Sequence, residues 1–275
     1  MEIQKATGEI ETFSPEKLCE SIVAAGVPEQ TAAHVCGRIA EEIQPGMSTG
    51  RIFRQALRYL VKENLDFAAN YSLRRAVSSL GPAGFLFEQY LEAVLQAHGY
   101  KVERNLILEG QCVPHEIDLR ATRDNTHYLV EAKYRNAPGI KTHIDVVMYA
   151  DARLMDIEKK QTKLEEGHFK HKMWVITNTK FTNKSIKYGT CRGIRLTGWN
   201  YPRGADLEKF ILEKKLYPVT VLPSLTKYAR EQFAKHNMLL AQDVLPYSKA
   251  DLMKKFDIPR SDAERIIHEA AEIIE

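Results

Sequence analysis

The strongest constraint on what this chain can fold into is a crowding of short strand-like runs between two helical segments. Residues 101–108, 116–121 and 128–133 carry the apolar alternation and residue types of strands. Ahead of them, Phe87, Leu91, Val94 and Leu95 share one face of a helix over 84–97, which Gly99 closes. Behind them a long helical pattern covers 142–164, followed by a short apolar strand at 173–176 and a last strand at 193–197. That order predicts an α/β core, a mixed sheet flanked by helices.

The flanks are helical. Two short runs, 3–5 and 10–13, enclose Ala6-Thr7-Gly8-Glu9 as a hairpin, with Gly8 free to take a positive φ. Ser14-Pro15-Glu16 is a helix start: a hydroxyl cap, Pro at the first position, and an acid in the first turn. Leu18, Ile22 and Val23 make its apolar stripe and Gly26 ends it; three more helical patterns follow up to Val77, with Pro45-Gly46 between the second and third helices. Gly81-Pro82 interrupts this pattern, and helices return from Pro218 onward, where Ser261 is placed to cap the last one. Three modules are therefore expected, at 1–80, 82–217 and 218–275.

No apolar run approaches the roughly 20 residues of a membrane helix, and Met1-Glu2-Ile3-Gln4-Lys5 has no leader character, so a cytoplasmic protein without membrane contact is expected. Cys19, Cys36, Cys112 and Cys191 are far apart with no paired spacing, which reads as free thiols rather than a zinc site or a disulfide framework. The net charge of +3 does not mark a nucleic-acid binder. Its distribution is more pointed: Lys159, Lys160, Lys163, Lys170, Lys172, Lys180, Lys184, Lys187, Arg192 and Arg195 are opposed only by Glu165 and Glu166. Such an excess either follows a phosphate backbone or forms a solvated face.

The chemistry concentrates at the strand ends. Alternation puts Leu129, Glu131 and Lys133 on one face of their strand, a carboxylate beside an ammonium, while Asp118 is a lone acid between Ile117 and Leu119. If the two strands pair, Asp118 and Glu131 converge as oxygen ligands for Mg²⁺ or Mn²⁺, and Glu88 on the preceding helix can complete the shell directly or through water. An acid pair with an adjacent lysine suits phosphodiester hydrolysis. Glu116 and His115 read as a solvent-facing strand-edge acid and an exposed loop histidine.

The segments Phe87-Glu88, His115-Glu116-Ile117-Asp118-Leu119 and Val130-Glu131-Ala132-Lys133-Tyr134, in that order, resemble the PD-(D/E)XK nucleases, and among them the Mrr-like restriction endonucleases and archaeal-type junction resolvases. The resemblance covers residues 84–200. It implies a restriction-endonuclease-like core in which Asp118, Glu131, the Ala132 carbonyl and Glu88 serve the metal and Lys133 is the catalytic lysine. The glycine-rich lead into the aspartate is replaced here by Val113-Pro114-His115-Glu116, and the glutamine after the lysine is not evident at Tyr134-Arg135-Asn136.

The run from Lys5 to Phe13, then Lys17-Leu18, Ser21-Ile22, Ala25-Gly26, Thr49, Ile52, Leu60 and the stretch from Ala69 to Arg75, resembles the ATP-cone of ribonucleotide reductases and their nucleotide-sensing repressor. That resemblance implies ATP or dATP as an effector under a hairpin lid, with Lys5, Lys17, Glu11 and Thr49 as contacts; Ala6 replaces the family's second basic residue. No phosphate loop of the Walker type is present, so sensing rather than hydrolysis is expected. Asp243-Val244-Leu245, Leu252, Phe256-Asp257-Ile258-Pro259 and the run from Ala263 to Ile267 resemble a helix-hairpin-helix domain; with no glycine in its turn, a packing or dimerisation role stands level with a DNA clamp. The joint expectation is a nucleotide-regulated DNA endonuclease that dimerises, with a non-catalytic nucleotide-sensing DNA-binding protein or repressor as the rival.

Overall fold

The computed structural model describes residues 1–81, 84–137, 139–164 and 170–275, and only the backbone of 161–164. Pro82, part of the expected boundary, and Glu165 and Glu166 lie outside the described residues, as does the side chain of Lys163. The chain divides into two compact units, one made of Met1–Ala76 with Val219–Glu275, the other of Val77–Pro218.

The first unit opens with β1 (Glu2–Gln4) and β2 (Ile10–Thr12), antiparallel around Gly8, whose φ is +90°. Four helices follow: α1 (Pro15–Val23), α2 (Glu29–Glu42), α3 (Thr49–Glu63) and α4 (Leu65–Ser78). The cap expected at α1 is present, since the Ser14 hydroxyl accepts from the Lys17 N–H at 3.2 Å. A third short strand, β3 (Met47–Ser48), pairs parallel with β1 and was not foreseen. Its Ser48 caps α3. Ile3, Leu18, Ile22, Val35, Ile39, Ile52 and Leu60 form the core. Cys19 on α1 and Cys36 on α2 are joined as a disulfide, correcting the expectation of four free thiols. They lie 17 positions apart in sequence, but two packed helices bring their Cα atoms to 5.8 Å. Cys112 and Cys191 are free and exposed.

The second unit begins with α5 (Gly84–Ala97) and continues through β4 (Lys101–Glu109), β5 (Pro114–Arg123), β6 (Thr126–Lys133), α6 (Ile144–Leu164), β7 (Lys170–Thr177), α7 (Asn183–Arg192), β8 (Arg195–Thr197) and α8 (Leu207–Glu213). The five strands form one sheet in the order β4-β5-β6-β7-β8. The first three are an antiparallel meander, and β6, β7 and β8 run parallel, so the sheet is mixed as expected. The parallel joins require crossovers, supplied by α6 and α7. Leu129, Met173 and Val175 pack against Val146, Val147, Ala150 and Ile157 of α6. The helix α7 had not been expected; Thr182 caps its start and Gly193, at φ +68°, ends it.

After Val219 the chain is helical, with α9 (Lys227–Lys235), α10 (Lys249–Lys255) and α11 (Arg260–Ile274). Pro259, not Ser261, stands at the cap of α11. The Ser261 hydroxyl instead donates to Asp262 within the first turn. Among the described residues no helix is long and apolar enough to cross a membrane.

Candidate functional site

Asp118 and Glu131 meet because β5 and β6 are in register. Leu119 pairs with Val130, so the next position along the two strands sets Asp118 beside Glu131. One carboxylate oxygen of Asp118 accepts the Ala132 N–H at 2.7 Å. Even so, its carboxyl is pushed up to about 7, chiefly by burial and then by the Glu131 charge, with Glu88 adding to it. Glu88 on α5 is itself raised by burial, and Glu116 and Glu131 add to that against the pull of Arg104. Asp118, Glu131 and Glu88 thus gather as one negative centre in a partly buried place, with exposed Glu116 at its edge, which favours either protons or cations.

A cation is already there. Arg153 of α6 ion-pairs with Glu131 and donates to the Glu116 carbonyl at 2.7 Å, its guanidinium 4.7 Å from the Tyr149 ring centre. Sequence reading missed Arg153. The available signal was its place in α6, in step with Val146, Ala150 and Ile157 on the face that packs under the sheet. Among the described residues no three His, Cys, Asp or Glu side chains stand close enough to hold a metal ion unaided. Two carboxylates and a backbone carbonyl are nonetheless a donor set that Mg²⁺ accepts when substrate phosphate and water fill the rest.

Lys133 ends β6 half-buried, and its ammonium has no ion-pair partner among the described residues. The backbone around it is pinned. Its carbonyl accepts from the Thr177 hydroxyl at 2.7 Å, and Asn178 makes two hydrogen bonds to the Arg135 backbone at 2.8 and 2.7 Å. Glu116 is exposed, as expected. His115 is not: it bonds the Asp156 carboxylate at 2.8 Å and is largely covered, because Asp156 reaches from α6 to gather this strand end. His115, helped by the Cys112 and Val113 N–H groups, holds Asp156 down to about 2.

In the first unit a cavity of about 200 Å³ is lined by Glu11, Lys17 and Thr49, three of the four residues expected to meet a nucleotide. Phe53, Tyr71 and Arg75 line it too and were not foreseen as contacts. Phe53 and Tyr71 stack at 5.0 Å between centres, and the Arg75 guanidinium lies over the Phe53 ring, 3.6 Å from its centre. Lys5 does not line this cavity; it bridges Glu9 at 3.3 Å and Glu11 at 3.1 Å across the hairpin.

The expected basic run is partly used up by the fold. Arg192 pairs with Asp151, and Arg195 stacks on Trp174 while donating to the Tyr100 hydroxyl. In the turn before α11, Asp257 takes φ +54°, the left-handed conformation a glycine would adopt more readily, and accepts from Tyr228.

Residues 217–274 match the family model described as AF1548-like, C-terminal. An uncharacterized protein of Archaeoglobus fulgidus is 34% identical over 181 residues, a stretch that covers 66% of this chain and 98% of that relative. The crystal structure of a protein of unknown function, AF1548, superposes with a TM-score of 0.57 at 32% identity, covering 70% of this chain and 98% of the other. The chain belongs to the AF1548-like family.

Proposed function

We propose that residues 77–218 form a metal-dependent nuclease core of the PD-(D/E)XK type, acting on DNA. The observation that carries this reading is the placing of Asp118 beside Glu131, its carboxyl raised to about 7, with Lys133 two residues farther along the same strand. Buried acids at such density are costly unless a cation is to be received there. Asp118, Glu131 and the Ala132 carbonyl would hold Mg²⁺ or Mn²⁺, with Glu88 as an outer or direct ligand. When bound, the metal polarises the phosphate and acidifies a water. Lys133 contributes its ammonium to the charge that develops on the phosphate, and Glu131 is aimed by Arg153. Carboxylate deprotonation must precede metal binding, and the raised Asp118 makes that step sensitive near neutrality.

The pocket of Glu11, Lys17 and Thr49 supports an ATP-cone that takes ATP or dATP. At about 200 Å³ it suits a base or sugar better than a whole nucleotide, leaving the phosphates outside toward Lys17. Nucleotide there would set activity or assembly, and a homodimer would supply two sites for a double-strand cut.

One observation favours the non-catalytic rival, a nucleotide-sensing DNA-binding protein or repressor. Arg153 already neutralises Glu131, as it would in a platform that has no use for a metal. Incubating plasmid and branched DNA with Mg²⁺ or Mn²⁺, with and without ATP and dATP, separates the two. Metal-dependent cutting that disappears in Asp118→Ala supports the nuclease. Retained DNA and nucleotide binding without cutting, on every substrate, supports the rival. Light scattering with and without nucleotide tests the dimer, which a concentration-independent monomer mass would exclude.

A further inference from the structure

The helix α3 carries Arg51, Arg54, Arg58 and Lys62, all exposed. Their spacing of three, four and four residues puts them within an arc of about 80° on one helix face, along roughly 16 Å of its axis. The only acid in the helix is Glu63, which turns off that arc and faces His34 at 3.7 Å. None of the four cations has an ion-pair partner among the described residues. They line an open groove of about 850 Å³, whose other walls include Tyr59 and Pro223.

One acid does line the groove, and it is occupied. Glu42 receives the Gln55 side-chain amide at 2.9 Å and the Tyr59 hydroxyl. That leaves the four cations with no internal use. A face that exists only to be solvated ordinarily mixes both signs, since unlike charges at helical spacing stabilise and like charges repel. Here the repulsion is tolerated on four successive turns. An external polyanion is the partner that such a row complements.

We infer that this face of α3 is a binding site for the phosphate backbone of duplex DNA. A single strand is disfavoured, because its binders offer aromatic platforms for the bases. Among the described residues that line the groove, Tyr59 is the one aromatic ring, and it is tied through its hydroxyl to Glu42, with Arg38 stacked 5.5 Å from its centre. The cations read no sequence; they hold the duplex in register along the helix. The inference rests on the reading that the chain acts on DNA, and it places a duplex contact in the unit that does not carry Asp118.

The test is fluorescence anisotropy of a labelled duplex of about 25 base pairs in EDTA, across about 50 to 300 mM KCl. Each neutralised phosphate contributes about 0.9 to the slope of log affinity against log salt. The full chain carrying Arg51→Ala, Arg54→Ala, Arg58→Ala and Lys62→Ala together should lose about 3 to 4 from that slope. It should also bind at least tenfold more weakly at about 100 mM salt. The variant with lysine in place of the three arginines should keep the wild-type slope, and the quadruple alanine variant should keep the wild-type melting temperature, which separates lost charge from lost fold. An unchanged slope in the quadruple variant overturns the inference. So does tighter binding of a single-stranded oligonucleotide through these four residues, or loss of ATP binding in the quadruple variant with duplex binding intact. EDTA removes cleavage from the readout, so a failed nuclease reading leaves this result standing. Conversely, an unchanged slope in a protein that cuts DNA sinks only the α3 site.

Discussion

The Ala132 N–H points at the Asp118 carboxylate from 2.7 Å, and that single donor is outweighed by burial and by Glu131. The net result is a carboxyl raised to about 7 from an ordinary value of 3.8. Between those two values the folded protein holds a proton that the unfolded chain has released. Stability therefore falls as pH rises from about 4 to about 7, and the full penalty is present above that window. Asp118→Asn keeps the shape and removes the charge. It should melt higher than wild type at pH 8, and the gap should close by pH 4. An equal gap at both pH values, or none, would contradict the raised carboxyl.

His171 should bend the same profile the other way. Its ring faces His127 at 5.1 Å across the β6-β7 pair, and its Nδ1 is buried with no hydrogen-bond partner among the described residues. Burial, then the neighbouring His127 and Arg120, lowers it to about 4 from 6.5. Below 6.5 the unfolded chain takes up a proton that the folded ring refuses, so this contribution is complete above 6.5 and is lost as pH falls toward 4. His171→Phe should flatten stability across that range relative to wild type, as read by urea midpoints at pH 4.5 and pH 7. A midpoint difference that survives the substitution unchanged would assign the acid sensitivity elsewhere.

The pair of Arg153 and Glu131 lies beside Asp118 in the second unit. Both side chains are largely covered, at 9% and 14% exposure. Arg153→Met strands the Glu131 charge and frees the Glu116 carbonyl, a loss of about 3–5 kcal/mol for a buried pair broken on one side. Adding Glu131→Gln should recover part of that loss, because the stranded charge goes with it. Chemical denaturation of the two single variants and the double variant measures the coupling. Strict additivity would mean that the contact contributes nothing to the folded state.

Local signals were legible where chemistry is local. The Ser14 cap, the turn at Gly8, the end of α7's neighbour strand at residue 197 and the three strand runs follow from residue type and spacing. The convergence of Asp118 and Glu131 was legible on the condition that their strands pair, as strands in short succession tend to. What escaped depends on long-range partners. Met47 and Ser48 form a strand only because β1 offers an edge. The helix α7, with its run Asn183-Lys184-Ser185-Ile186-Lys187, is too polar for its apolar stripe to be noticed, and its caps at Thr182 and Gly193 carry the definition. His115 read as exposed because nothing near it in sequence announces Asp156, forty-one residues on. Cys19 and Cys36 looked unrelated for the same reason.

The cavity of the first unit gives a separate test of the nucleotide reading. Lys17 lines it and is exposed, so its removal should leave the fold intact. Lys17→Ala should weaken ATP or dATP binding about tenfold, the loss of one charge-assisted phosphate contact, with an unchanged melting temperature in the absence of nucleotide. Lys5→Ala should do less, because Lys5 is spent on Glu9 and Glu11 and lies off the cavity wall. Calorimetric titration of both variants against wild type ranks them. If Lys5→Ala proves the more damaging, the hairpin must close over the ligand and bring Lys5 inward. If neither changes the affinity, the phosphates do not lie toward Lys17 and the cavity is not the nucleotide site.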